Sequence, residues 1–140
     1  MIRSLFAAAS ALLPLAGLVQ SQPQAGSGQS LVLPLPVGYY IDSRIGTCAK
    51  PFADTAIYLA EDRVVTPFSS CKFTSLKMIG GQGFRQTESC PDEDGRPSAS
   101  STDYRITGPH SFETAEFGDR WTYCTAAQLP PKARFYKGTK

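Results

Sequence analysis

Residues 71–90 read CKFTSLKMIGGQGFRQTESC, two β-prone runs on either side of a glycine-rich centre with a cysteine at each end. Cys71 and Cys90 are equidistant from the Gly80-Gly81 pair, so a hairpin turning there sets the two thiols opposite each other, within reach of a disulfide. If the turn is longer and takes in all of 80–83, the register slips and the pairing loses this support. Phe73 and Leu76 have opposite parity in the first run, which predicts a strand either covered on both faces or bulged.

On both sides of this hairpin the same pattern repeats. From Val37 onward short apolar runs alternate with turn residues every 8 to 12 positions, and strands are expected near 38–43, 56–59, 63–66, 71–79, 83–90, 103–107, 111–114 and 120–124. Glu61-Asp62, Gly108-Pro109 and Gly118-Asp119 supply the intervening turns. Short joins make neighbours antiparallel, so the expected fold class is all-β: a small up-and-down meander that closes into a barrel or stays half open. Alternation nominates Ile57, Leu59, Tyr104, Ile106, Trp121 and Tyr123 for the core, joined by Phe84, Phe112 and Val65. Pro34 and Pro36 lack donors, so LVLPLPV at 31–37 is an edge strand or an extended apolar strap. GRPSASST at 95–102 reads as a polar, mobile loop.

The chain has 140 residues, with 41% hydrophobic, 11% aromatic and 19% charged residues and a net charge of +2, which suits one folded domain and excludes a disordered polyelectrolyte. Arg3 followed by the apolar run 5–19 predicts a signal peptide over 1–21, with cleavage nearer Ala16 or Ala25 as alternatives. The run is shorter than the ~20 residues a membrane crossing needs. A flexible leader and strap (22–37), a disulfide-stabilised β domain (38–126) and a solvated basic tail (127–140) complete the expected organisation, in a periplasmic or secreted product. The tail holds Lys132, Arg134, Lys137 and Lys140 around Phe135 and Tyr136.

The cysteines, Cys48, Cys71, Cys90 and Cys124, are even in number in a short chain with an export signal, which predicts two disulfides. The hairpin favours Cys71–Cys90 and leaves Cys48–Cys124; pairing 48–71 with 90–124, or 48–90 with 71–124, stays open. On the chain-entropy account, loops of these lengths contribute about 3 and about 4.5 kcal/mol. No short Cys-x-x-Cys spacing is present, so neither a zinc site nor a thioredoxin-like site is expected.

The order of a Gly-x-Tyr (Gly38 to Tyr40), Cys48, a Cys71 to Cys90 hairpin entering the acidic Asp94-Gly95 turn, a further meander and a closing Tyr123-Cys124 resembles small exported four-cysteine β-proteins of proteobacteria. The resemblance covers residues 38–124 and implies fold and location; it transfers no functional residue.

Catalysis finds few candidates. His110 is the only histidine, in a predicted turn beside Ser111, and no Gly-x-Ser-x-Gly occurs. Asp92, Glu93 and Asp94 lack calcium-loop spacing and read as a solvated turn; Glu61, Asp62, Glu113, Glu116 and Asp119 fall in turns or on outer faces. Gly80-Gly81-Gln82-Gly83 opens no helix and so is no phosphate cradle. The near-neutral charge argues against nucleic acid. No catalytic residue, metal or cofactor is assigned. The expectation is a binding or inhibitor-like module with a protein partner; the alternative is a lipocalin-like carrier of a small apolar ligand, and a small hydrolase comes last. The aromatics Tyr39, Tyr40, Phe52, Tyr58, Phe68, Phe73, Phe84, Tyr104, Phe112, Phe117, Trp121 and Tyr123 exceed what a core of this size needs; core packing is the default, and any exposed subset offers a ligand mouth or a partner patch.

Overall fold

A computed structural model describes residues 31–52 and 55–138. The predicted signal segment and the leader up to residue 30 lie outside the described residues, as does Lys140 of the tail. Among the described residues eight strands follow one another: β1 (Gly38–Asp42), β2 (Ile57–Leu59), β3 (Arg63–Val65), β4 (Ser70–Gly80), β5 (Gly83–Pro91), β6 (Pro97–Gly108), β7 (Ser111–Thr114) and β8 (Arg120–Cys124). Each pairs antiparallel with the next, and β8 returns to β1, so the meander closes into a barrel. Among the described residues no helix is long and apolar enough to cross a membrane.

The β4–β5 hairpin reaches the expected disulfide by an indirect route. Gly80 pairs with Gly83, so the turn is Gly81-Gln82, beyond the sequence-based centre, and Gly80 and Gly81 supply φ of 117° and 55°. Two bulges, between Met78 and Gly80 and between Phe73 and Ser75, each place one extra residue on β4. The second puts Phe73 and Leu76 on the same side, and the Thr74 hydroxyl donates to the Thr87 carbonyl at 3.0 Å. Together the bulges return the register, and Cys71 is bonded to Cys90; Cys48 is bonded to Cys124, closing the β1–β2 loop onto β8. Two disulfides are the chemistry of an oxidising compartment.

Three expectations need correction. The polar stretch 95–102 is mostly strand: β6 starts at Pro97 and pairs with β5 as far as Pro91. The Asp92 carboxylate accepts from the Asp94 and Arg96 amides at 2.9 and 2.7 Å and Gly95 adopts φ 77°, which makes a tight turn in place of a loop. Val64 replaces Val65 as the core residue, because Val64 pairs with Leu59 on the inner face while Val65 pairs with Tyr58 on the outer. Third, the C-terminal segment is docked and not a solvated tail. Leu129 is 1% exposed, the Tyr136 ring stacks on Tyr58 at 3.9 Å, and Phe135 meets Tyr39 edge-on at 5.5 Å. The Tyr39 hydroxyl donates to the Tyr136 carbonyl and accepts from its amide at 3.2 and 3.1 Å. The cations flanking Phe135 and Tyr136 mask an amphipathic clamp that covers the outer face of β1, whose five residues are therefore all buried.

Inside the barrel Tyr40, Phe73, Tyr104 and Phe112 form an aromatic floor with Leu59 and Val64. The strap seals one end. Leu33 is buried in this cluster, Leu35 packs beside it, and the Tyr40 hydroxyl donates to the Pro36 carbonyl at 2.8 Å. The space left between Leu33, Leu35, Leu59 and Phe73 is about 10 Å³, too little for more than one water.

Candidate ligand-binding site

At the opposite end the barrel is open. Here β1, β3, β5 and β7 finish and β2, β4, β6 and β8 begin, and the inward positions change from aromatic to polar. The floor is Tyr104, Phe112 and Trp121; above it stand Glu88 on β5, Ser100 and Thr102 on β6 and Thr114 on β7. The cup so formed holds about 590 Å³, within the usual range for small-molecule sites. The Cys71–Cys90 disulfide is part of its wall, and the ligand-type atoms of Cys71, Glu88 and Cys90 lie within 4.8 Å of one another. The two sulfurs are bonded to each other, so this trio offers a cation no thiolate.

Glu88 is the group that sets the character of the cup. It is 5% exposed, and among the described residues its one hydrogen-bond donor is the Tyr104 hydroxyl, at 3.1 Å. Burial pushes its carboxyl above the ordinary range, and the Tyr104 hydroxyl offsets only part of that. Tyr104 is raised too, first by burial and then by the neighbouring carboxylate. Two more polar atoms in the interior lack protein partners among the described residues: Trp121 Nε1, and Gln86 Oε1, whose amide nitrogen donates to the bulge carbonyl of Ser75 at 2.7 Å.

The rim carries the remaining charge. Arg44, just beyond β1, reaches Asp42 at 2.7 Å and also pairs with Asp119, while its guanidinium donates to the Phe117 carbonyl at 3.3 Å. The hydrogen bond from Arg44 holds the Asp42 carboxyl below the ordinary range, despite its burial. Arg44 thereby pins the β7–β8 loop to the end of β1. Gly118, at φ 61°, gives that loop its reversal. Ile45, Phe52, Phe68 and Phe117 are 52%, 62%, 77% and 67% exposed, and all four belong to loops at this open end.

The residues singled out in the sequence divide accordingly. Phe117 lines the open end and Trp121 lies in its floor, whereas Phe52 lines a separate hollow with Pro67 and Phe135, and Phe68 is exposed in the β3–β4 loop. Asp92, Glu93 and Asp94 stand exposed in the β5–β6 turn. His110 is exposed in the β6–β7 turn, at the sealed end, its ring 5.6 Å from Tyr123; the Ser111 hydroxyl accepts from Thr107 and not from the imidazole. Glu88, Thr102, Asp42 and Arg44 belong to no motif and escape a reading of the sequence. For Glu88 the available signal is parity: it sits four residues after Phe84 on the same strand, so an inward Phe84 implies an inward Glu88. The chain matches no protein-family model, no curated protein and no solved structure, and the cup is therefore interpreted from its own geometry.

Proposed function

We propose that this is an exported, non-catalytic binding protein that takes a small ligand into the open end of its barrel. The observation that carries this reading is the convergence of a buried carboxylate and an aromatic floor on a space of about 590 Å³ at the open end; the gap under the strap is about 10 Å³, and a hollow of about 660 Å³ beside the β4–β5 turn has no buried carboxyl in its lining. Disulfide-bonded walls and a closed hydrogen-bond circuit keep such a cup formed without ligand, which reduces the ordering cost of binding. The carboxyl and hydroxyl groups in its otherwise largely apolar lining depart from the purely apolar lumen expected of a lipocalin-like carrier. A second reading, docking of a protein partner, is favoured by the exposed Ile45 and Phe117 at the mouth and Phe52 and Phe68 on neighbouring loops.

Native mass spectrometry of the oxidised protein from its source, beside a Ser100→Phe variant, separates the two. Ser100 is exposed on the cup wall, so the substitution fills space with a stability change within about 0.5 kcal/mol. A retained small molecule that is lost in the variant supports the reading. Absence of any small molecule, with a protein retained equally by both forms, overturns it.

A further inference from the structure

The lining of the cup has a definite electrical sign. Asp42, Glu88, Glu116 and Asp119 contribute four carboxyl groups, and Arg44 is the only basic residue among the lining residues. Arg44 is already engaged by Asp42 and Asp119, so its charge is answered twice. Those two acids are answered in return, so an anionic ligand entering the cup meets the carboxyl groups of Glu88 and Glu116 and no uncommitted cation among the described residues that line it. A ligand with positive charge meets the reverse.

Glu88 gives that charge a specific address. Glu88 is 5% exposed as a residue, and its carboxyl has a single donor among the described residues, the Tyr104 hydroxyl, where an ionised carboxylate accommodates several. A buried carboxylate short of donors is costly, and an ammonium group supplies up to three in charge-assisted geometry. The surroundings suit the rest of such a ligand, because the part-exposed Trp121 ring, backed by the buried Tyr104 and Phe112, gives surface both for an apolar body and for cation–π attraction. Resting on the reading of the open end as a ligand site, we infer that its ligand is a small organic cation, seated with its ammonium against the Glu88 carboxylate and its apolar body on the aromatic floor. A neutral ligand of the same shape would fill the same space and leave Glu88 with Tyr104 alone.

The test uses three molecules of one shape: 2-phenylethylamine, 2-phenylethanol and phenylacetate, titrated into the oxidised full-length mature protein. Trp121 is the only tryptophan and lies in the floor, so its emission reports occupancy directly, with calorimetry as the second readout. The amine is expected to bind at least about tenfold tighter than the alcohol, and phenylacetate more weakly than either. Glu88→Gln keeps an oxygen to accept from Tyr104 and removes the charge. It should bring the amine to within about threefold of the alcohol, with the alcohol's own affinity changing far less than the amine's. Alcohol or phenylacetate binding as tightly as the amine overturns the cation inference and leaves the cup as a ligand site. The cation inference alone also fails if none of the three binds to a protein that retains a small molecule in native mass spectrometry. If nothing binds and nothing is retained, both fail.

Discussion

The two ends of this barrel are built from the same strands and do opposite things with them. At the sealed end the chain adds apolar side chains from outside the sheet: Leu33 and Leu35 from the strap close over Leu59 and Phe73, and the strap is held by Tyr40 donating to Pro36. At the open end no segment crosses the mouth among the described residues, and the inward positions become Glu88, Thr102 and Thr114. A protein selected only for stability would treat both ends alike, since each buried carboxyl lacking full compensation works against folding. One end is therefore closed by packing, and the other keeps a buried carboxyl at an energetic cost, the pattern expected where a local rule is broken for function.

The contrast between the ends is most vulnerable at the strap. Leu33→Ala removes a buried side chain from a closely packed end, and denaturant unfolding should show a loss of about 2–4 kcal/mol, with ligand affinity of the remaining folded protein unchanged. A loss below about 1 kcal/mol would mean the strap does not seal the barrel. Gly38→Ala comes next. A Cβ there would stand 2.5 Å from the Tyr123 ring, at a φ of 149° that side chains rarely adopt, so a loss of about 1–3 kcal/mol is expected, read as a lower midpoint of thermal unfolding.

At the mouth the change is smaller and its sign is opposite. Burial raises the Glu88 carboxyl above its unfolded value of 4.5, so the folded state favours the proton. The favourable contribution of this group is complete below about 4.5 and is lost as pH rises through its folded pKa. Glu88→Gln cannot lose it. The variant should therefore be the more stable of the two above that window, with the gap closing as pH falls toward 4.5, as followed by urea unfolding across the range. A wild-type advantage at neutral pH would show that Glu88 stabilises the barrel and is no functional cost.

Only half of this asymmetry is visible in the sequence. The strands, the meander and both disulfides follow from turn residues and alternation, signals that are local. Symmetry about Gly80-Gly81 leads to the right disulfide for a partly mistaken reason, because two bulges at Thr74 and Ile79 compensate for a turn that lies further on. Bulges follow sheet coiling, which no local pattern reports. Serine-rich β6 looks like a loop because its outer edge buries nothing, and its order comes from the Asp92 turn and pairing with β5. Phe135 and Tyr136 stand out as aromatics, but their targets Tyr39 and Tyr58 are far away along the chain, and only barrel closure brings them together. The cup is the least legible part. Glu88, Thr102 and Trp121 come from three strands, and each is ordinary until the barrel closes and sets them around one space.

Entry of small ligands at one end of the barrel and not the other is open to direct test in backbone and indole ¹H–¹⁵N correlation spectra with added 2-phenylethylamine. Saturable shifts are predicted at Glu88, Thr102 and Thr114 and at the Trp121 indole N–H, with Leu33, Leu59 and Tyr136 unmoved. Shifts confined to the outer face around Tyr136, or to the strap, would be incompatible with a ligand site at the open end.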